Sequence, residues 1–172
     1  MKSDLLLIRH AKATGQAPDA PLTPDGEAEA RRLADTLSGA GITRIVSSPW
    51  RRAVETARPL AARLGLEVGT DERLTERVLS GADLPGWMAH LEASFADPDL
   101  ALPGGESGRV ARTRILAALA EARDPGGVTA VFTHGNLLAL ALGLNHAGWA
   151  GLRNPDVWRL DGAGRGARLE GG

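Results

Sequence analysis

Four consecutive large aliphatic residues, Leu5-Leu6-Leu7-Ile8, followed at once by Arg9-His10, constrain the fold of this chain more than any other stretch. Successive side chains of a strand point to opposite faces, so an unbroken apolar run needs cover on both. Asp4 to His10 is therefore read as a strand buried between two layers. The run is too short for the core of a secretory signal, and no small-residue cleavage site follows it. No apolar run reaches the length of a membrane span. A chain of 172 residues can bury most of its apolar surface in one unit. Residues 1–172 are accordingly read as a single domain without linker or repeat.

The remaining pattern alternates helix and strand. Thr23-Pro24 reads as an N-cap with proline at the first helical position, opening a helix to about Ser38 with Ala30, Leu33, Ala34 and Leu37 on one face. Arg44 to Ser47 is a second strand. Ser48-Pro49 repeats the cap-plus-proline signal before a helix to about Leu64, which Gly65 ends as a left-handed cap. Leu66 to Val68 is a third strand. Asp71 to Gly81 has no clear period, and Leu84 to Phe95 is predicted to be helical. After a loop from Asp97 to Gly105, Ser107 caps a helix to about Ala122. Val128 to Thr133 is a fourth strand, Asn136 to Leu144 a short helix, and Val157 to Leu160 a last full strand. Ala167 to Leu169 pairs with it across a glycine-rich turn, and Gly171-Gly172 are expected to fray. This order predicts an α/β fold, a three-layer α/β/α sandwich with a largely parallel central sheet.

Composition closes off several functions. With no cysteine, disulfides, thiolate zinc sites and cysteine nucleophiles are excluded, which is compatible with the expected cytoplasmic location. A net charge of −1 supplies no general field for nucleic acid. Lys2 and Lys12 are the only lysines, and the remaining cations are arginines, whose planar fork suits phosphate. The abundance of Ala, Gly, Arg and Leu is put down to codon bias, so position must decide which arginines matter.

Position singles out two histidines. Arg9-His10 ends the first strand, and Thr133-His134-Gly135-Asn136 ends the fourth and opens a helix. Ligands of open α/β sheets sit beyond the carboxyl ends of strands. Both imidazoles should therefore face one rim, where the helix N-terminus favours an anion. Arg51 or Arg52, after Ser48-Pro49, reaches the same rim. Imidazoles, arginines and free helix amides together suit phosphate. Glu76, in the irregular stretch after the third strand, is the carboxylate best placed to protonate a leaving alkoxide. Its plain alternative is a surface acid paired with Arg73 or Arg77. Arg51 is read as a solvated helix residue. His90 and His146 are read as structural, and Gln16 taken alone could be an ordinary loop residue. Trp50, Trp149 and Trp158 are read as packing groups.

In order along the chain, these stretches resemble the histidine phosphatase superfamily, also called phosphoglycerate mutase-like. Arg9-His10-Ala11 is similar to its Arg-His-Gly signature. Pro21-Leu22-Thr23 with Gly26 resembles the stretch opening its first helix. Ser47-Ser48-Pro49-Trp50-Arg51-Arg52-Ala53 with Thr56-Ala57 resembles its Ser-Ser-x-x-x-Arg-Ala-x-x-Thr-Ala block, a register that selects Arg52 over Arg51. Leu74-Thr75-Glu76, Gly105-Glu106-Ser107 and Thr133-His134-Gly135 resemble its acidic loop, Gly-Glu-Ser block and second histidine. Asn154 precedes a final strand that is also similar. Ala11 replaces the usual glycine, Lys12-Ala13 the usual Glu-Thr, and Gln16 the usual Asn.

The resemblance implies a phosphoglycerate mutase-like fold and a phosphomonoesterase that needs neither metal nor cofactor. His10 would be the nucleophile, forming a phosphohistidine. Arg9, Arg52 and His134 would hold the phosphoryl oxygens, and Glu76 would move the proton. Gln16, Gly135, Asn136 and Trp87 are the further candidates for substrate binding. Trp87 lies in the segment of about residues 77–105 that covers the pocket in this family. Partners expected are a small phosphorylated substrate and, as often in the family, a second copy of the chain, with no nucleic acid and no membrane. Two rivals remain: a phosphoglycerate mutase, disfavoured by the short covering segment, and a catalytically silent phospholigand-binding module, disfavoured because His10 and Glu76 are both present.

Overall fold

The computed structural model describes residues 3–169, so Gly171-Gly172 lie outside the described residues. The elements are β1 (Leu5–Arg9), α1 (Pro24–Leu37), β2 (Ile42–Ser47), α2 (Arg51–Leu64), β3 (Val68–Thr70), α3 (Trp87–Ala96), α4 (Gly108–Ala122), β4 (Val128–Thr133), α5 (Gly135–Leu142), α6 (His146–Ala150), β5 (Asp156–Leu160) and β6 (Gly166–Arg168). A 3-10 turn occupies Glu72–Leu74. The strands form one sheet in the order β3-β2-β4-β1-β5-β6. The first four run parallel, and β5 and β6 complete one edge in antiparallel fashion.

The Leu5–Ile8 run explains why helices cover both faces. Leu5 and Leu7 pack with Val131 of β4 against Ile115 and Leu119 of α4 and Leu137 of α5. Leu6 and Ile8 point the other way and pack with Ala130 and Phe132 against Leu33 and Leu37 of α1 and Leu60 of α2. Each such side chain, taken out of water, contributes about 1.5–3 kcal/mol.

The same alternation carries on past the core. Arg9 falls in phase with Leu5 and Leu7, toward α5, and His10 in phase with Leu6 and Ile8, toward α2. β4 is paired with β1 so that Arg9 lies opposite Thr133. His134 therefore emerges on the same side as His10.

Several boundaries differ from the sequence reading, each for a local reason. Leu66 does not begin β3: its N–H donates to Ala61 O at 2.9 Å, completing the left-handed cap centred on Gly65 (φ 68°). Pairing with β2 starts only at Val68. Pro49 is not the first helical residue of α2; Ser48 Oγ instead accepts from Trp50 N–H at 3.2 Å, and the helix begins at Arg51. Gly86, at φ 70°, delays α3 to Trp87. β2 starts two residues early, at Ile42, because Ile42 already pairs with Val128. Gly143, at φ 71°, ends α5 early. Asn145 then caps the unexpected short α6, its Oδ1 accepting from Gly148 N–H. No helix among the described residues is long and apolar enough to cross a membrane.

Candidate active site

The carboxyl ends of β1, β2 and β4 meet at a single rim, and the loop after β1 is fastened there. Ala11 N–H donates to Thr56 Oγ1 of α2 at 3.0 Å, and Asn154 Nδ2 donates to His10 O at 3.1 Å. Ala11 is fully buried, and no non-glycine residue described has positive φ. Alanine in place of glycine is thus accommodated without strain. Gly26 cannot be exchanged in this way: a Cβ there would lie 2.1 Å from Lys12 O, which also accepts from Thr23 N–H.

His10 is 8% exposed. Its Nδ1 lies 2.7 Å from Ala11 O, and Arg52 Nε donates to its Nε2 at 3.2 Å. An acceptor on one nitrogen and a donor on the other fix the neutral tautomer with hydrogen on Nδ1 and the lone pair on Nε2. Burial is the main reason its pKa falls to about 4; the Ala11 carbonyl opposes the shift, and Arg52 and Arg9 add to it.

His134, fully buried, stands with its ring centroid 5.2 Å from that of His10 and 5.0 Å from Trp50. Its Nε2 lies 2.9 Å from Ser48 Oγ. That hydroxyl also accepts from Trp50 N–H and keeps its own hydrogen free to donate to Nε2. A neutral ring that accepts there carries its proton on Nδ1, a buried atom without a protein partner. Burial first, then His10 and the neighbouring arginines, hold His134 well below the ordinary histidine value.

Two guanidinium groups complete the rim. Arg52 is 1% exposed; its Nη1 donates to Gln16 O at 3.2 Å and Ala17 O at 2.9 Å, and its Cζ lies 5.0 Å from the Trp50 ring centroid. Arg9 crosses the N-terminus of α5, where a Cβ on Gly135 would come 2.7 Å from its Cζ. Arg9 Nη1 donates to Leu152 O at 3.4 Å, while Nε is buried without a partner. Desolvation lowers both arginine pKa values, and Glu76 acts against it. Guanidinium stays charged regardless. One buried and one partly buried guanidinium, bonded to carbonyls rather than carboxylates and with one N–H unpaired, make a site suited to an anion.

Glu76 occupies the position the sequence reading gave to free helix amides. Its Oε1 accepts from Leu137 N–H at 2.9 Å and Arg77 N–H at 2.9 Å, and its Oε2 from Asn136 N–H at 3.2 Å. The N-terminus of α5 thus holds the acid, a favourable setting for a carboxylate, and two of its amides are engaged. Asn136 is buried with Oδ1 unpartnered.

The sequence reading missed the groups that position this loop. Arg114 of α4 donates to the carbonyls of Arg73 at 2.7 Å, Thr75 at 2.9 Å and Glu76 at 3.3 Å. It is itself paired with Glu106 at 2.5 Å. Thr133 Oγ1 donates to Leu74 O at 2.8 Å. Ser48 and Glu106 stood inside quoted motifs but had no role assigned; Arg114 was hidden among many arginines. Arg51 is an exposed helix residue, as read, and it pairs with Glu55. His146 packs against Phe95 and Trp149.

A cleft of ≈ 550 Å³ opens outward from Arg52 and Glu76. Gln16 and Trp87 both line it. Of the expected covering segment, only the part up to Trp87 borders the cleft. Among the described residues, no three His, Asp or Glu side chains are grouped to hold a metal ion.

The sequence matches the family described as Histidine phosphatase superfamily (branch 1) over residues 5–166. A probable phosphoglycerate mutase of Salmonella paratyphi B is 31% identical over 182 residues, spanning 90% of this chain and 83% of the relative. Among solved structures, mycobacterial glucosyl-3-phosphoglycerate phosphatase in its native form superimposes with a TM-score of 0.75 at 28% identity, covering 98% of this chain and 97% of that one. Its complex with VO3 gives 0.73 at 28% identity, covering 97% of each.

Proposed function

The chain belongs to the histidine phosphatase superfamily, and on that premise we propose that it is a metal-independent phosphomonoesterase working through a phosphohistidine on His10. One observation carries the reading: the Nδ1 bond to Ala11 O leaves the Nε2 lone pair of a neutral imidazole beside two anion-seeking guanidinium groups. A neutral imidazole is the nucleophilic form.

The steps follow from that arrangement. Arg9, Arg52 and the His134 Nδ1–H draw in the phosphoryl oxygens, and Arg52 exchanges His10 for an oxygen. The negative charge of the bound phosphate lets Glu76 take up a proton from solvent; Nε2 then attacks phosphorus in line, the P–O ester bond breaks, and Glu76 passes that proton to the leaving oxygen. Water then attacks phosphorus, its proton returns to Glu76, the N–P bond breaks, and His10 is neutral again. The guanidinium charges and the imidazole N–H offset the charge of the transferring group in a partly dry site. No step needs a metal. The reading covers residues 1–172 as one domain and a small phosphorylated substrate in the cytoplasm.

Protein quenched during turnover of a labelled monoester, with chelator present, should carry acid-labile, base-stable phosphate, and His10→Ala protein should carry none. Label retained on His10→Ala, or turnover abolished by chelator and restored by a divalent ion, would overturn the proposal. The similarity to a probable phosphoglycerate mutase supports a second reading, return of the phosphoryl group to a sugar acid. Interconversion of 2- and 3-phosphoglycerate faster than phosphate release would select it.

A further inference from the structure

We propose that the cleft opening outward from Arg52 and Glu76 takes esters whose alcohol part is a flat, apolar ring system bearing no second negative charge. The inference deepens the phosphatase reading and rests on it. At ≈ 550 Å³ the cleft has room for a group much larger than phosphate. Beyond Gln16, Trp50, Arg52 and Glu76, its wall comes from the strap before α3, with Val78, Leu79, Ala82 and Leu84 apolar and Ser80 polar, and from Trp87 at the start of α3. Trp87 is 51% exposed and Val78 44%. Large apolar side chains gathered on an open concave surface mark a place that gains by being covered. Trp87 also offers a ring face, which favours a second ring laid against it.

The wall is built before any ligand arrives. Glu106 N–H donates to Val78 O at 2.8 Å, Val78 N–H to Glu106 Oε1 at 3.2 Å, and Gly81 N–H to Pro103 O at 3.0 Å. A ligand therefore need not order residues 78–81, which would otherwise weaken its binding.

Charge argues against a second anion. Apart from Arg52, the one cation among the described lining residues is Arg77, and it is committed elsewhere. Its Nη1 donates to Ser94 Oγ at 2.8 Å, its Nε and Nη2 donate to Glu106 O, and it is only 5% exposed. The remaining charge on the strap is Asp83, exposed to solvent. A carboxylate on the alcohol part, as in a phosphoglycerate, would meet apolar side chains and a like charge. An uncharged ring would meet neither penalty.

Binding of phosphonates to the intact protein, measured by calorimetry, tests the class without requiring turnover. 3-Phenylpropylphosphonate should bind about tenfold more tightly than propylphosphonate, and 3-phosphonopropanoate more weakly than either. Trp87→Ala should remove the advantage of the ring while leaving propylphosphonate unchanged, and Asp83→Asn should reduce the penalty on the carboxylate. Tightest binding by 3-phosphonopropanoate, or equal weakening of the two phosphonates with uncharged side chains by Trp87→Ala, would overturn the inference. The two failures separate cleanly. Phosphonates ranked as stated with no labelled His10 from any ester would sink the phosphatase reading alone. Labelled His10 without the ranking would sink the substrate class alone.

Discussion

At the His10 end of the site, side chains are aimed by the sheet. β1 delivers Arg9 and His10, β4 delivers His134, and buried bonds to Thr56, Ser48 and Asn154 hold them. At the Trp87 end there is no strand; a strap is tied to the segment before α4 by backbone bonds, and its side chains stand half in solvent. The inner end is charged and short of partners, whereas the outer end is apolar and already settled. Phosphoryl transfer needs charges fixed to fractions of an ångström, and recognition of the leaving alcohol needs area. Substitutions at the two ends should therefore differ in kind, the inner ones acting on kcat and the outer ones on KM.

The widest separation is expected for His10→Ala, which should lower kcat by about four orders of magnitude or more in steady-state assays. Retention of substantial turnover would erase the distinction between the ends. Arg52→Ala should cost about 3 kcal/mol in kcat/KM, and Arg51→Ala very little. A reversed pair would place the phosphate on the solvent side of α2.

Between the extremes lies the loop carrying Glu76, which Arg114 ties to α4. Arg114→Gln should reduce kcat about tenfold or more for alkyl phosphates, whose leaving oxygen needs a proton, and much less for activated aryl phosphates. Equal loss on both would reduce Arg114 to a merely structural role.

A smaller effect concerns protons. The unfolded chain's histidines titrate near the ordinary value of about 6.5, but burial holds folded His10 near 4 and folded His134 well below the ordinary value. Across that interval the unfolded state binds more protons, so stability should fall as pH drops from about 6.5 toward 4. Urea midpoints should show this, and His134→Gln should flatten the slope. Nitrogen NMR should find His10 neutral, with hydrogen on Nδ1, at pH 5.5. Smallest of all is Trp87→Ala, which should move Tm by less than about 2 °C, because an exposed side chain leaves no cavity.

What the sequence disclosed follows the same division. A doubly buried strand, alternating helices and two strand-end histidines are local patterns, so the layers and the inner end were readable. β3 was misplaced because Leu66 looks like a strand residue but closes a helix, a choice made by backbone bonds. Arg114 escaped because nothing local separates an arginine gripping three carbonyls of a distant loop from one in solvent. The Glu76 bonds to the α5 amides depend on two loops meeting, which no spacing along the chain announces.

The alternation of β1 bears on how the chain finds its correct pairing. Because Leu5–Ile8 is apolar on both faces, a one-residue slip of β1 against β4 would leave the core nearly as oily as before, and hydrophobic pattern alone would not penalise it. The slip would, however, turn Arg9 toward α2, beside the guanidinium of Arg52, and His10 toward the N-terminus of α5. Like charges in a partly dry space make that arrangement costly. The residues of the proposed phosphate site would thus also penalise a slipped register of the strand.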